Sequence, residues 1–438
     1  MKRFCTTRLQ EWQSRKNRRP LLIRGARQVG KTWLVREHGK RYQSFVEINL
    51  EASPQTLPIF KNNFGNPKEL IKALSLIVGK KIEPQTTLLF IDEIQESKEA
   101  LLSLRYFKEK LPELHVIAAG SLLEFAFDDL SFPVGRIEFF HLFPLNFFEF
   151  LEALGRSDVI AEIQTSFSKN KIDASVHEEF NKLFATYSLC GGMPEAVKIY
   201  CETKDWNEVQ NITQILTASF REDFHKYSSQ NNIDDLRILF DNVPKNLGQK
   251  FVYANIDPNI KSRELGNALN KLQKAGLVYK VHHSSCNGVP LAGQINLKKF
   301  KVFLVDIGLC HRLMGLRLSE LYLKRHELFA NQGALAEQIV AQEILSTTPE
   351  NENPELFYWQ REKRSAQAEV DLVFQDGNRI IPIEVKSNKG NRLKSLKIFL
   401  EEKNQFVSEG IKTSPQTYQN ADKIKGIPLY AVSLLKRP

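Results

Sequence analysis

The chain has 438 residues, of which 42% are hydrophobic and 26% are charged, a globular composition that excludes disorder as the main state. At roughly 150 residues per domain, this length predicts about three domains. Lys and Arg outnumber Asp and Glu by 61 to 51, a formal net charge of +10, so DNA is a candidate partner. No segment approaches the roughly 18 consecutive apolar residues of a membrane-spanning helix, so no membrane association is expected.

The cysteines do not suggest a disulfide framework or a zinc site. Their number is odd, no Cys-x-x-Cys pair occurs, and they are widely spaced at Cys5, Cys190, Cys201, Cys286 and Cys310. The residues that follow Met1 are polar and charged, unlike the apolar stretch of a secretory signal. These features predict a cytoplasmic protein.

Residues 1–160 alternate short apolar runs with helical stretches, the pattern of a parallel α/β sheet. Each predicted strand is short and apolar, as in a strand that is covered on both faces. The candidate strands are residues 21–23, 45–49, 88–91 and 116–119. The aromatic stretch at 139–150 is interpreted as core or as a face between domains. Residues 161–231 are predicted to be mostly helical.

Residues 232–320 are predicted to form a winged helix-turn-helix. A helix over 262–272, with Ser262 as its N-cap, ends before Gly276. The two strands of the predicted wing are residues 277–281 and 301–305.

The strongest chemical signal is a phosphate-binding loop, or P-loop, between the first strand and a helix. Eight residues match G-x-x-x-x-G-K-[ST] at every fixed position: Gly25, Ala26, Arg27, Gln28, Val29, Gly30, Lys31 and Thr32. The glycines let backbone N–H groups wrap a phosphate. Lys31 is expected to neutralise the β- and γ-phosphates and Thr32 to ligate Mg²⁺, while Arg27 shapes the loop or touches a phosphate. ATP and Mg²⁺ are therefore the expected cofactors.

Two carboxylates at the end of the third predicted strand complete the expected ATP site. Asp92 is expected to hold Mg²⁺ through water, and Glu93 to orient or deprotonate the attacking water. The alternatives are a chance Gly-rich turn for the loop and a solvated strand end for the carboxylates. The order of the two motifs favours nucleotide binding. Hydrolysis is a separate expectation, because some P-loop proteins bind nucleotide as a slow switch.

Two further residues have a catalytic and a structural interpretation. Ser121 follows the strand at 116–119 and would either sense the γ-phosphate or cap the strand end. Arg136 would stabilise transition-state charge, in its own chain or in a neighbouring subunit of a homo-oligomer, or else it is a surface residue.

The carboxyl-terminal residues 321–438 are predicted to form a separate α/β domain. Two strands joined by a turn at Asp376-Gly377 would bring Asp371 close to Glu384, and Lys386 shares a face of the second strand with Glu384. These carboxylates are candidate ligands of a second divalent metal, to which Glu337 on an upstream helix would also point. Lys386 would stabilise charge on a phosphate.

This is the arrangement of PD-(D/E)xK nucleases, although Glu-x-Lys tripeptides are also common on exposed strands. A run of cations follows and would suit a phosphate backbone. It consists of Lys386, Lys389, Arg392, Lys394 and Lys397.

Together the motifs resemble a family of bacterial and archaeal AAA-type ATPases that join a P-loop domain, a winged-helix segment and a restriction-endonuclease-like domain. The resemblance spans nearly the whole chain. Besides the P-loop it rests on residues 90–95, 120–121, 191–195, 301–309 and 382–387. It implies an α/β fold with an AAA-type parallel sheet, and binding of ATP and Mg²⁺. Ala118-Ala119 replaces the polar residues expected before Gly120-Ser121, which weakens the role of Ser121.

The leading hypothesis is an ATPase whose cycle drives a DNA-binding or DNA-cleaving tail. The alternative is a nucleotide-dependent switch that binds DNA or a protein partner without cleaving it. In the switch, Arg263, Lys271 and Lys274 of the winged helix would touch DNA. A winged helix that only packs against neighbouring domains is the structural alternative, and a toxin–antitoxin or defence role is left open.

Overall fold

The computed structural model describes residues 1–127, 135–226, 232–324, 333–361, 368–387 and 393–435. Within these ranges the chain forms two β-sheets, separated in sequence by a series of helices. No helix in these ranges combines the length and the apolar character that crossing a lipid bilayer requires.

The first sheet has five parallel strands in the order β2-β3-β4-β1-β5. The strands are β1 (Leu21–Arg24), β2 (Ser44–Asn49), β3 (Thr87–Asp92), β4 (His115–Ala119) and β5 (Glu138–His141). The four predicted strands are confirmed, with ends that differ by one residue. The fifth strand is an addition to the prediction, and it uses the start of the aromatic stretch.

Helices cover both faces of this sheet. They are α1 (Thr6–Ser14), α2 (Lys31–Gly39), α3 (Leu57–Asn63), α4 (Pro67–Val78), α5 (Lys98–Lys110) and α6 (Leu123–Ala126). Successive residues of β3 point to opposite faces. Leu88 and Phe90 share a core with α1 and α2, whereas Leu89 and Ile91 share a core with α3, α4 and α5.

The predicted helical region is confirmed. Residues 161–231 contain the greater part of α8 (Ser157–Lys169) and the whole of α9 (Ala174–Cys190), α10 (Pro194–Thr203) and α11 (Trp206–Asp223), and α7 (Phe147–Ala153) precedes them. Asn146 and Glu149 form a capping box that starts α7 within the aromatic stretch. Phe147 and Phe150 are fully buried beside Phe184, so the interpretation of this stretch as core is confirmed.

The next segment is a pair of helices followed by an antiparallel hairpin. Its elements are α12 (Ile233–Asn242), α13 (Ser262–Lys274), β6 (Val278–Ser284) and β7 (Ile295–Leu304). The N-cap of α13 is Lys261, and Ser262 is its first helical residue without a capping bond, so the predicted Ser262 cap is wrong. Both strands are longer than predicted, and the loop that connects them is correspondingly shorter.

The second sheet has eight strands in the order β12-β13-β11-β10-β9-β8-β6-β7. Its further strands are β8 (Phe357–Gln360), β9 (Glu369–Asp376), β10 (Arg379–Val385), β11 (Gly410–Ser414), β12 (Gln419–Ala421) and β13 (Ile424–Pro428). Four helices accompany the sheet: α14 (Ile307–Leu313), α15 (Leu318–Leu323), α16 (Gly333–Ser346) and α17 (Lys394–Glu402). The predicted turn at Asp376-Gly377 joins β9 to β10.

The hairpin and the carboxyl-terminal strands belong to one sheet, because β6 pairs in parallel with β8. The sheet therefore crosses the boundary that the sequence places at residue 320. A single hydrophobic core also runs from Leu9 through Phe184 and Leu272 to Val432. Residues from all four predicted segments therefore pack in one core: 1–160, 161–231, 232–320 and 321–438.

Candidate functional site

The P-loop connects β1 to α2 through backbone that glycine makes possible. Gly25 has φ 145°, Gln28 has φ 65° and Gly30 has φ 94°. A Cβ added at Gly25 would lie 2.2 Å from the carbonyl oxygen of Leu142, so no side chain fits there. Because α2 begins directly after Gly30, its first N–H groups are available to a phosphate held in the loop.

Lys31 lies inside the loop that it is predicted to serve. Its side chain is buried, and Nζ donates to the carbonyl oxygens of Gly25 at 3.0 Å and Ala26 at 2.9 Å. Burial lowers the pKa of Lys31 to about 8, although Glu93 and Asp92 act to raise it. A bound triphosphate would add negative charge and favour the protonated ammonium.

Thr32 and Asp92 bring the two predicted motifs into contact. The Thr32 hydroxyl donates a hydrogen bond of 2.9 Å to Oδ2 of Asp92. Asp92 is the last residue of β3 and is 3% exposed, and burial raises its pKa. Hydroxyl and carboxylate oxygens are the ligands that Mg²⁺ prefers, so this pair fits a magnesium ion bound together with ATP phosphates.

Glu93 follows Asp92 in a left-handed conformation, with φ 49°. Its carboxylate accepts a hydrogen bond of 2.6 Å from Nε2 of Gln95. A Cβ added at Gly120 would lie 2.3 Å from Oε1 of Gln95, so the Gln95 side chain lies between Glu93 and the end of β4. No role was predicted for Gln95, although its place two residues after Glu93 is a usable signal.

Ser121 lies near the P-loop, as expected of a residue at the carboxyl end of β4. Ser121 and Gly25 both line a cleft of about 600 Å³. The opposite wall is formed by α13, through Asn270, Gln273 and Lys274. The position of Ser121 suits a phosphate sensor, and its contact with nucleotide stays a prediction.

Arg136 lies at the opposite end of the strands from the P-loop. It precedes β5 and so lies at the amino ends of the parallel strands, whereas the P-loop follows the carboxyl end of β1. Its side chain is 52% exposed, and Nε lies 3.1 Å from Oε1 of Glu109. Arg136 therefore does not serve the P-loop of its own chain in this structure. Action on a neighbouring subunit stays a prediction.

Arg27 connects the P-loop to the helical region. Its guanidinium forms an ion pair with Asp223, the last residue of α11. Lys226, just beyond, lies 2.9 Å from Glu51, which follows β2 at the same edge of the sheet. Neither pair could be predicted from the sequence, because the two partners of each are far apart along the chain.

Two other segments also pack directly on the P-loop. A Cβ added at Gly30 would lie 3.6 Å from Cγ of Pro194, the first residue of α10. A Cβ added at Gly276 would lie 3.1 Å from the backbone nitrogen of Ala26. The loop is thus in contact with the helical region and with the helix–hairpin segment.

The predicted residues of the tail come together on β9 and β10. Ile383 pairs with Leu372 in the antiparallel register, which places Glu384 beside Asp371. Oδ2 of Asp371 accepts a hydrogen bond of 2.8 Å from the backbone nitrogen of Val385. Nζ of Lys386 donates to Oε1 of Glu384 at 2.5 Å.

Glu337, on α16, is held by a lysine that the sequence analysis did not consider. Nζ of Lys301, on β7, lies 3.2 Å from Oε2 of Glu337 and 2.7 Å from Oε1 of Glu369. Burial raises the pKa of Glu337, and the charge of Asp371 adds to this effect. Burial likewise raises the pKa of Glu384, which also lies near Asp371.

The expectation of a second divalent metal does not fit this arrangement. Among the residues that the structure describes, no three His, Cys, Asp or Glu side chains are grouped so that they could hold a metal ion. The ammonium of Lys301 already contacts Glu337, one of the three candidate ligands, and also Glu369.

The candidate DNA-binding cations are only partly described. Lys389 and Arg392 lie outside the described residues, whereas Lys394 and Lys397 are exposed on α17. On α13, Arg263 is exposed, and Lys271 and Lys274 are half-buried. Because Lys274 lines the cleft beside the P-loop, part of this helix faces the P-loop region, as the structural alternative predicts.

Three protein families match separate parts of the chain. Residues 17–151 match the AAA domain family. Residues 181–320 match a domain of unknown function, DUF8612, and residues 332–432 match another, DUF4143. Among curated proteins, none matches the chain.

Solved structures show only distant similarity to the chain. The Walker-type ATPase paby2304 of Pyrococcus abyssi is 16% identical, with a TM-score of 0.45, over 70% of this chain and 94% of its own. The Aeropyrum pernix ORC1 protein in complex with DNA is 15% identical, with a TM-score of 0.24, over 73% and 93%. Protein VC1899 from Vibrio cholerae is 12% identical, with a TM-score of 0.16, over 95% and 96%.

The family match over residues 17–151 coincides with the five-stranded parallel sheet, from just before β1 into α7. The same residues contain the P-loop and the Thr32–Asp92 contact. The part of the chain that is similar to the AAA domain family is therefore the part that carries the candidate nucleotide site.

Proposed function

We propose that the protein is a Mg²⁺-dependent ATPase that hydrolyses ATP at the P-loop. The hydrogen bond between Thr32 and Asp92 carries the proposal, because it places both predicted magnesium ligands within reach of one ion. Lys31 and the loop N–H groups bind the β- and γ-phosphates. Mg²⁺, when bound, neutralises charge that develops on these phosphates.

Glu93 is the general base of the proposed reaction. Its carboxylate follows the magnesium ligand Asp92 directly and accepts a proton from the attacking water. Gln95 holds the carboxylate at 2.6 Å and so positions it. Ser121, which lines the neighbouring cleft, contacts the γ-phosphate in this proposal.

Arg136 acts in a homo-oligomer. Its exposed position at the amino edge of the sheet allows it to reach the P-loop of a second copy whose carboxyl edge faces it. Such a head-to-tail contact uses two different surfaces and closes into a ring if the rotation allows. An arginine supplied by a neighbour then stabilises the transition state.

The test of the ATPase proposal is the rate of phosphate release from ATP, with and without DNA, for the wild type and Lys31→Ala. Loss of turnover in the variant supports the P-loop assignment, and unchanged turnover refutes it. ATP binding without turnover in the wild type would favour the nucleotide-dependent switch.

The second candidate function is that the tail and the helix–hairpin segment act on DNA. The meeting of Asp371, Glu384 and Lys386 favours a nuclease-like tail, and the net charge of +10 favours a polyanionic partner. Arg263 on α13 and the exposed lysines of α17 are the proposed phosphate contacts. The docking alternative assigns the same surfaces to a partner protein.

Two assays separate these candidates. Salt-dependent gel shifts test DNA binding, since phosphate contacts weaken steeply as salt rises. Incubation of DNA with Mg²⁺ or Mn²⁺ tests cleavage, with Asp371→Ala and Lys386→Ala as comparisons. Intact DNA with all three proteins would refute cleavage and favour docking.

We place these activities in the cytoplasm, because all five cysteines lie in the described part of the chain and are free thiols.

A further inference from the structure

The acidic site of the tail contains a lysine from another part of the chain. Lys301 belongs to β7 of the hairpin, whereas Glu369 and Asp371 lie on β9 and Glu337 lies on α16. The Lys301 side chain is 1% exposed. Its Nζ lies 2.7 Å from Glu369 and 3.2 Å from Glu337. In the sheet, β6 and β8 lie between β7 and β9. Lys301 thus contacts acids of the tail although their strand is not a neighbour of its own.

The charges explain why a cation is needed at this point. Buried carboxylates are costly unless they are paired or bound to a metal. Lys386 pairs with Glu384, and Lys301 pairs with Glu337 and Glu369. Oε2 of Glu384, which is 4% exposed, has no hydrogen-bond partner among the described residues. A free carboxylate oxygen therefore remains at the site beside the lysine-held acids.

We propose that the ammonium of Lys301 is the resident cation of this acidic site and takes the place of a divalent metal. This inference rests on the proposed nuclease-like character of the tail. Lys301 neutralises Glu337 and Glu369. Glu384 is paired with Lys386, and Asp371 accepts a hydrogen bond from Val385. With Lys301 in place, the site joins the hairpin to the tail.

Lys301 also links two parts of the fold. Its strand, β7, is the last of the eight-stranded sheet and pairs only with β6 among the described strands. The same helix–hairpin segment contacts the P-loop through Gly276, two residues before β6 begins at Val278. Lys301 thereby connects the tail to a segment that touches the ATP site.

The experiment measures Mn²⁺ binding to the full-length, nucleotide-free chain by electron paramagnetic resonance. All proteins carry Asp92→Asn, which removes the magnesium ligand of the ATP site. Lys301→Met is compared with the parent and with Lys280→Met. Lys280, on β6, is half-buried and bonds Asn270, so its replacement also removes a lysine from the hairpin but leaves the acids untouched.

We expect no Mn²⁺ binding that depends on Asp371 in the parent or in Lys280→Met. Lys301→Met should gain one Mn²⁺ site, which adding Asp371→Asn removes. Mn²⁺ binding by the parent that Asp371→Asn abolishes would overturn the proposal, even if Lys301→Met failed to fold. A Lys301→Met protein that is folded, as judged by unchanged thermal melting, and that gains no Mn²⁺ site would also overturn the proposal.

A parallel DNA-cleavage assay separates this inference from the proposed function. If Lys301→Met binds Mn²⁺ and leaves DNA intact, the nuclease proposal fails and the role of Lys301 as resident cation stands. If Lys301→Met binds Mn²⁺ and cleaves DNA that the parent leaves intact, both are supported.

Discussion

Thr32, at the start of α2, donates a hydrogen bond of 2.9 Å to Asp92, at the end of β3. The strands that precede these residues are not neighbours, because β4 lies between β1 and β3 in the sheet. The bond therefore spans the end of β4, where Gly120 and Ser121 follow. This explains why the polar groups of the site converge at this edge: a ligand bound by both residues must lie over the end of β4.

Asp92→Asn should separate nucleotide binding from hydrolysis. The amide keeps the shape of the carboxylate but removes the charge that would hold Mg²⁺. The loss of several kcal/mol of metal-supplied stabilisation should lower kcat by on the order of 10²-fold or more. ATP binding measured without Mg²⁺ should change little. Thr32→Ser, which keeps the hydroxyl, serves as the control, and normal turnover by Asp92→Asn would contradict the assignment.

Glu93→Gln should trap ATP on the enzyme. Removal of a general base lowers the rate by roughly 10²- to 10⁴-fold, while the phosphate-binding groups stay in place. Filter binding should therefore show retained ATP where phosphate release is lost. The matched control is Glu96→Gln, which changes an exposed carboxylate three residues further along. A similar loss in both variants would show that the effect is not specific to Glu93.

The ATP site was predictable because its signals are local. The P-loop is contiguous from Gly25 to Thr32, and Asp92 and Glu93 end an apolar run that is buried in the sheet. The strands β1 to β4 follow from the same alternation of apolar runs and helices. The prediction that Asp371 lies beside Glu384 also needed only a hairpin. The turn of this hairpin is marked in the sequence by Asp376-Gly377.

The contacts that connect these parts had no local signal. Arg27 and Asp223 are 196 residues apart, and Lys301 and Glu337 are 36 apart. Lys301 is one of three lysines in β7, and nothing in the neighbouring residues indicates acids on another strand. The carboxylates of the tail were therefore predictable and suggested a metal, whereas the structure supplies a lysine.

Gly276→Ala should disturb the P-loop from outside. Gly276 has φ 71°, and a Cβ there would lie 3.1 Å from the backbone nitrogen of Ala26. The change should cost roughly 1–3 kcal/mol in stability from backbone strain and should also raise the Kd for ATP. Gly79→Ala is the matched control, since Gly79 has φ 68° and nothing within 4 Å of the added Cβ. Equal Kd values for the two variants would disprove the contact's role.

Arg136→Ala should lower kcat by on the order of 10³-fold if it supplies a transition-state cation in trans. Arg105→Ala is the control, because Arg105 pairs with the same carboxylate, Glu109, at 3.0 Å. Mixing Arg136→Ala with Glu93→Gln should restore part of the activity, since some interfaces then combine an intact Glu93 with an intact Arg136. No recovery in a mixture shown to co-assemble would exclude action between subunits.

The pH dependence of stability can be tested at Glu343, a buried residue of α16. Glu343 accepts hydrogen bonds from Tyr187 at 2.7 Å and from the backbone nitrogen of Phe147 at 3.2 Å. Burial raises its pKa from the ordinary 4.5 to about 7. Between these values the folded state holds a proton that the unfolded state has lost. The stabilisation is complete below pH 4.5 and disappears as the pH rises through 7.

Buried histidines change the stability in the opposite direction and over a lower pH range. Burial lowers the pKa of His38, His115 and His311 to about 4, so their contribution to stability increases up to the ordinary pKa of 6.5. Comparison of each variant with the wild type cancels the histidine contribution. Between pH 4.5 and 7, Glu343→Gln should remove a fall in the free energy of unfolding of up to about 1.4 kcal/mol per pH unit, measured by urea denaturation. Glu355→Gln, at an exposed position, should follow the wild-type slope, and a parallel slope for Glu343→Gln would show that Glu343 does not titrate in this range.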